Sequence, residues 1–481
     1  MTAFSTVFRW ELRALWRDPA CWLALMLAVS AVGFGAFNGI RWVGHLDEVR
    51  VAAGDRDAAA RGEARALARR IDAKEVRPPF AGRDPRSAFG YGTNLMAHYA
   101  VLPAAPLAAL SAGQTDLLPS VIPLAPWRHP AMAAAADPEN PYRLLIGRFD
   151  SAFVVTFLVP LLIIGLTYAL IAGERERGTL GLLLAQPVTL RTLLVAKLAP
   201  RVVLILGILA LMAVLFVLSA PRPSGARLAL WLSIALAHSA LWFALSAAVL
   251  TRRGGSAAHA VTLAAVWLAV TMLVPSAVNL AVKTLAPVPS RVELILAMRS
   301  ATDAATAERS KLLGAFYEDH PELAPAGGVA AAVNDFVTLR LITDQQVERD
   351  LAPVLARYGE QLARQQALVE RLQYLSPTLL TQTALAEAAG TGAGRHAWFL
   401  AQVLEHHGAL RAFFEPRALR KEAFAAWDEV PTFAFREEPI GAVTQRVAPA
   451  IAALFAAALV LGLAGWRAAG RSVAVSVGRA T

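Results

Sequence analysis

The sequence predicts an all-α polytopic membrane protein with six transmembrane helices and two large, mainly helical extracytoplasmic segments. Three observations carry that expectation. Of 481 residues, 56% are hydrophobic and only 17% charged, too little polar surface for a water-soluble chain of this length. Six stretches reach the roughly 20 apolar residues that a helix needs to cross a hydrocarbon core: residues 20–43, 151–172, 198–220, 228–250, 259–285 and 443–466, each free of charge away from its ends. Finally, the basic residues gather in four of the segments between them.

Taken in order, residues 1–19 place Phe4, Phe8, Leu12, Leu15 and Trp16 on one helical face and Arg9, Arg13 and Arg17 on another. This is the pattern of an interfacial helix, ended by Asp18-Pro19. Its defining residues are Phe8, Arg9, Trp10, Glu11, Leu12, Arg13 and Trp16. The first span exceeds the 7–15 apolar residues of a signal peptide and reads as an uncleaved anchor. Within it, Gly35-x-x-x-Gly39 permits close helix approach, inside one subunit or between two. Cys21 is the single cysteine, so no internal disulfide forms.

The segment 44–150 opens with 45–77, proline-free and rich in Ala, Arg, Asp and Glu, a helix that extends the first span. Eleven prolines between Pro78 and Pro141 then exclude regular helix. In the segment 286–442 helices are expected at 293–317, 330–375, 396–414 and 417–429, with a flexible break at 390–394. Val347, Leu351, Val354, Leu355, Tyr358, Leu362 and Leu372 form an apolar stripe that packs against neighbouring helices. His396 and His407 share a helical face with Glu405 and His406 nearby, read as a solvated face because a metal site needs three or four convergent ligands. His238 is the one histidine deep in a span, expected as a packed polar residue.

Orientation follows from arginine and lysine. Segments 1–19, 173–201, 251–258 and 467–481 hold thirteen bases against four acids, whereas the rest of the chain holds 33 against 32. The positive-inside rule puts both termini in the cytoplasm and both long segments outside. The excess of positive charge is thus a membrane signal, and nucleic acid is not an expected partner.

The most informative stretch is the cytoplasmic loop 173–197. Glu174-Arg175-Glu176-Arg177 forms a charged turn, Gly178 permits a sharp break, and Thr179 is placed to cap a short helix that Pro187 stops. Leu180, Leu182, Leu183 and Leu184 are too many apolar groups to leave in water, so they are expected at the membrane surface or in a partner's groove. Glu-x-Glu-x-Gly-Thr-Leu followed by Leu-Leu, Pro-Val and a Lys resembles the loop of ABC-2 type exporter permeases. The matching positions are Glu174, Glu176, Gly178, Thr179, Leu180, Leu183, Pro187 and Lys197; Gly181 and Ala196 depart from the family's usual Glu and Gly. Arg9-Trp10-Glu11-Leu12-Arg13 is similar to the elbow helix of the same family. The resemblance covers the six spans and both cytoplasmic elements and is closest to members with large external insertions.

The resemblance implies a permease subunit in a bacterial cytoplasmic membrane, coupling ATP hydrolysis by a separate ABC ATPase subunit to export of a substrate or to work on the external domain. The coupling contacts would come from Glu174, Arg175, Glu176, Arg177, Gly178, Thr179, Leu180, Leu182 and Leu183. ATP and Mg would be bound by the partner, with no cofactor in this chain. None of the five lysines follows a glycine, so no phosphate-cradling Gly-Lys loop exists here. A second permease copy or a related permease completes the expected assembly, in contact with membrane lipid. The competing reading is a membrane-anchored sensor or scaffold with a large extracytoplasmic domain.

Overall fold

The computed structural model describes residues 3–113, 115, 118–130, 149–219, 224–288, 291–324 and 335–477. Helix dominates. Helix α1 (Ala3–Arg17) is followed at once by α2 (Pro19–Asp72), because Asp18 ends one and caps the other: its carboxylate accepts the Ala20 N–H at 2.9 Å, and Pro19 supplies a preset φ at the first helical position. The expected extension of the first span is therefore one continuous helix of 54 residues.

Beyond Asp72 the first long segment departs from the mainly helical expectation. Its prolines leave short turns and a two-stranded antiparallel sheet, β1 (His98–Val101) against β2 (Val121–Leu124), with His98 opposite Leu124. The last part of the proline-rich stretch, 131–148, lies outside the described residues. The chain then enters α3 (Ser151–Glu176), capped by Asp150, whose carboxylate accepts the Phe153 and Ala112 N–H groups at 2.7 and 2.8 Å. A π-turn at Val154–Leu158 interrupts α3.

Next come the short α4 (Thr179–Leu184), α5 (Leu190–Ser219), α6 (Gly225–Leu250) and α7 (Ser256–Leu285), the last with its own π-turn at Ala269–Leu273. The second long segment forms α8 (Arg291–Ala307), α9 (Arg309–Asp319), α10 (Phe336–Leu372), α11 (Pro377–Ala389) and α12 (Ala393–Leu419). The final helix, α13, spans Ile440–Val477. Among the described residues, six helices are long and apolar enough to cross a membrane: α2, α3, α5, α6, α7 and α13.

Several boundaries differ from the sequence reading. The helix expected over 293–317 is two, α8 and α9, parted at Glu308. Positions 330–334 lie outside the described residues. No separate helix covers 417–429: α12 runs through Pro416 to Leu419, giving up the Pro416 N–H bond to the preceding turn, and the chain then turns irregular. The break at 390–394 is a tight joint, not a flexible one. Gly390 takes φ +81° to end α11, and a Cβ there would meet the Arg395, Arg227 and Pro106 side chains at 3.1–3.2 Å.

Two cores organise these elements. The larger joins the long apolar helices, with Trp231, Trp242, Ile163, Leu209 and Val447 at its centre. Gly35 and Gly39 are spent inside this chain: a Cβ on Gly39 would stand 1.9 Å from the Ala109 carbonyl oxygen, and one on Gly35 3.0 Å from the Asp150 backbone. The second core is aromatic, packing Phe89 and Tyr91 against Phe399, Phe414 and Phe424, so the two long segments fold together. Val347, Leu351 and Leu355 of the expected stripe pack on α8, while Leu362 is left exposed. His396 and His407 are buried rather than solvated.

Helix α11 was not anticipated. Leu380, Ala384, Leu385, Ala388 and Ala389 belong to the larger core, beside Trp231 and Ile234 of α6 and Val443 and Val447 of α13. His238 joins α11 to α6: its Nε2 lies 3.2 Å from the Trp242 indole nitrogen and 3.3 Å from the Thr156 carbonyl, and its Nδ1 pairs with the Thr381 hydroxyl at 2.9 Å. His238 is thus the packed polar residue that the sequence suggested.

Candidate functional site

The two elements singled out by sequence, the N-terminal helix and the loop after α3, meet at one end of the helix bundle. Helix α1 leaves Trp10, Leu12 and Trp16 exposed on its outer face, where an apolar surface of this kind suits a membrane interface. Trp22 donates its indole N–H to the Trp16 carbonyl at 2.9 Å and fixes the corner between α1 and α2. Phe8 is half-buried and stacks with Phe4, while Arg9 and Arg13 are exposed. Glu11 alone among the named residues of α1 turns fully inward.

There Glu11 enters an ion cluster with members from three elements. One carboxylate oxygen receives the Lys197 ammonium at 2.5 Å, and the other receives the Arg201 guanidinium at 2.7 Å. Lys197 also donates to Glu174 at 3.0 Å. Arg201 also donates to the Leu166 and Lys197 carbonyls, at 3.0 and 2.6 Å. All four side chains are buried, and two acids face two bases, so the cluster is neutral as a whole. The face of Trp10 lies 5.5 Å from the Lys197 nitrogen, near enough for a cation–π contribution.

The loop is shaped by these contacts. Gly178 adopts φ +74°, a left-handed conformation that glycine takes without a steric penalty. Thr179 does not cap α4 as expected. Gly178 occupies that position, and the Thr179 hydroxyl reaches back to the Glu174 carboxylate and, at 3.1 Å, to the Glu174 carbonyl. Arg177 covers Glu174 from the solvent side at 3.4 Å. Beside it, Glu176 accepts the Ser256 N–H at 2.6 Å and its hydroxyl at 2.9 Å, and Arg175 donates to the Gly254 carbonyl at 2.9 Å. The loop is therefore tied both to α5 and to the start of α7.

Helix α4 then divides its leucines. Leu180, Leu183 and Leu184 are half-buried against Val7, Ile171, Leu190, Leu194 and Leu250, so these three serve the chain's own packing and not the outer surface expected of them. Leu182 remains, 72% exposed, flanked by exposed Gly181, Ala185, Gln186 and Pro187. Together with Arg177 and Gly178 it forms a protruding rim. The sequence reading missed Arg201 in this cluster. Its signal was present: Lys197 and Arg201, spaced i,i+4 where α5 turns apolar, both require acidic partners from elsewhere.

A second ion cluster, also unforeseen, lies where α11 and α12 meet α6 and α13. Arg395, 2% exposed, grips Glu437 with two nitrogens at 2.8 and 2.7 Å, and Arg227 reaches the same carboxylate at 3.2 Å. Arg446 pairs with Glu438 and, at 3.1 Å, with Glu387. Burial pushes the Glu437 carboxyl up, but the Arg395 hydrogen bonds and the charges of Arg395 and Arg227 outweigh it and hold the group below its ordinary value. Among the described residues, no group of three His, Cys, Asp or Glu side chains is placed to hold a metal ion.

Fold and site define a largely helical protein with six helices able to cross a membrane, an ion cluster at one end of the bundle, and a folded domain at the other. Residues 291–436, from the start of α8 to the residue before Glu437, match the family described as a domain of unknown function (DUF3526). No curated protein and no solved structure matches the chain.

Proposed function

We propose that this chain is the membrane-spanning permease subunit of an ABC-2 type exporter and that a separate ATPase subunit docks on the rim formed by α4. The observation that carries the reading is the ion cluster. It binds the expected elbow helix through Glu11, the expected coupling loop through Glu174, and the helix after it through Lys197 and Arg201. A push on α4 is thereby delivered to α1 and α5 together. Helix α4 is itself built to be pushed: three leucines anchor it, and Leu182 is presented outward.

In this reading α1, the loop, and both termini lie in the cytoplasm, as the basic residues favour, and the domain at the other end is extracytoplasmic. The ATPase supplies nucleotide and Mg binding, and two permease subunits, alike or related, serve two ATPases. Gly35 and Gly39 are occupied within the chain and do not supply the contact between permeases.

The test uses residues that face outward, because reversing Glu174 would break the internal cluster and confuse docking with folding. Leu182→Asp and Ala185→Glu should leave expression and thermal stability in detergent intact while reducing ATPase co-purification and the stimulation of ATP hydrolysis by the permease. If both variants keep full binding and stimulation, docking at this rim is wrong and a sensor or scaffold becomes the better reading.

A further inference from the structure

Helix α11 sits where a domain helix has no reason to be. Its first ten residues, Pro377 to Ala386, carry no charge, and Thr378, Leu380 and Thr381 are almost fully buried. Contacts with α7 fix its depth. Gln365 of α10 donates to the Ala286 carbonyl at 3.0 Å, just past the end of α7. Eleven residues later Ser376 donates to the Val270 carbonyl at 2.6 Å. Val270 is near the middle of α7, about 22 Å along the helix from Leu285 at 1.5 Å per residue. Between those contacts α10 descends alongside α7.

The chain then climbs back. Thr381 bonds His238, midway along α6, and Gly390 lies against Arg227 at the start of that helix. At its lowest level α11 also touches both π-turns: Val270 lies in that of α7, and His238 is 3.3 Å from the Thr156 carbonyl in that of α3. The long apolar helices thus surround α11 on one side. On the other, the turn Gln373–Leu375 leaves Tyr374 48% and Leu375 62% exposed. The neighbouring stretch of α7 is equally bare, with Leu268, Met272 and Leu273 all exposed. The charged residues of α10 stop at Glu370 and Arg371, one to two turns above the tip, where long polar side chains reach an interface.

We infer that residues 373–381 are a re-entrant membrane segment, and that Tyr374 and Leu375 at its tip contact the acyl chains of the leaflet on the domain side. The occupant of this surface is lipid because the patch is continuous with the bare face of α7, a helix long and apolar enough to span the bilayer. The segment also satisfies its backbone as a membrane requires. The Ser376 hydroxyl accepts the Leu379 N–H at 3.2 Å, and α11 bonds the rest internally. The inference rests on the six-helix membrane reading and is independent of any ATPase.

The experiment places Leu375→Cys or Tyr374→Cys in a Cys21→Ser background, labels it with bimane, and reconstitutes the full chain in vesicles. Arg364→Cys, on an exposed site higher in α10, is the comparator. Nitroxide on the lipid acyl chain should quench the label at 374 and 375 several-fold more than at 364, with the reverse order for aqueous iodide. Equal iodide quenching at 364 and 375, without nitroxide quenching at 375, would overturn the inference. A second measurement avoids substitution: a diazirine-bearing acyl chain should cross-link to the 374–375 peptide of the unmodified protein. Adducts on Met272 or Leu273 but none on 374–375 would also overturn it.

Discussion

Lys197→Met isolates the ion cluster. The substitution keeps the aliphatic stem and removes the ammonium that bridges Glu11 and Glu174 at 2.5 and 3.0 Å. Glu11 would then keep Arg201, while Glu174 would lose its buried cation and retain only the exposed Arg177 at 3.4 Å. A unit pair at about 4 Å is worth roughly 4 kcal/mol at an effective dielectric of 20. Desolvation offsets part of that, and breaking a buried pair by removing one partner typically costs about 3–5 kcal/mol. The expected loss for Lys197→Met lies in that range. Adding Glu174→Gln restores neutrality, pairing Glu11 with Arg201 and leaving an amide beside Thr179. The double variant should recover more than about 1 kcal/mol relative to the sum of the two single changes, well above the ~0.3–0.5 kcal/mol scatter of independent sites. Reversible unfolding in mixed micelles, followed by helical circular dichroism, measures all four corners of the cycle. Additive singles, or a Lys197→Met variant as stable as the parent, would refute the claim that the cluster binds α1, the loop and α5 together.

Two further outcomes follow from other parts of the fold. Gly39→Ala would set a methyl group 1.9 Å from the Ala109 carbonyl oxygen, so it should cost about 1–3 kcal/mol by overpacking and lower the melting temperature in detergent, whereas Gly44→Ala, which meets nothing within 4 Å, should not. His98 stands 2.9 Å from His406, and burial, followed by the neighbouring His406 charge, depresses it from 6.5 to about 4. A base with a depressed folded pKa contributes stability that is complete above about 6.5 and lost as pH falls toward 4. His98→Gln should therefore flatten acid destabilisation of the domain between those values, by at most about 3 kcal/mol at 1.36 per unit; an unchanged pH profile would show that the pair does not titrate.

The long apolar helices were legible in the sequence because membrane hydropathy needs no knowledge of packing. The extension of α2 to Asp72 was legible for a related reason: nothing between His45 and Asp72 breaks a helix. Helix α11 escaped because thirteen residues are too few for a span and Pro377 and Gly390 bracket them like a loop. The strand pair was hidden among prolines that rightly excluded helix but say nothing about pairing. In the candidate site, composition could rank Glu174 and Lys197 as notable, and the family resemblance could align them. Neither could show that Glu11 turns inward while its neighbours Trp10 and Leu12 turn out, because that choice is made by cations on a different helix. Tertiary pairing of charge was the missing information, for Arg201 as for Arg395 and Glu437.

Helix α2 has a mechanical consequence. At 54 residues it is about 80 Å long, far more than the bilayer requires. Its base meets α1 at the corner that Trp16 and Trp22 fix, its middle is held against Ala109 at Gly39, and its far end is tethered to the domain, where Arg65 holds Asp428 at 2.5 Å and Asp72 holds Arg86 at 3.2 Å. Such a rod is a lever. A rigid tilt of roughly 5° about the Gly39 contact would carry the far end, about 50 Å away at 1.5 Å per residue, through about 4 Å, most of a helical turn's travel at the domain.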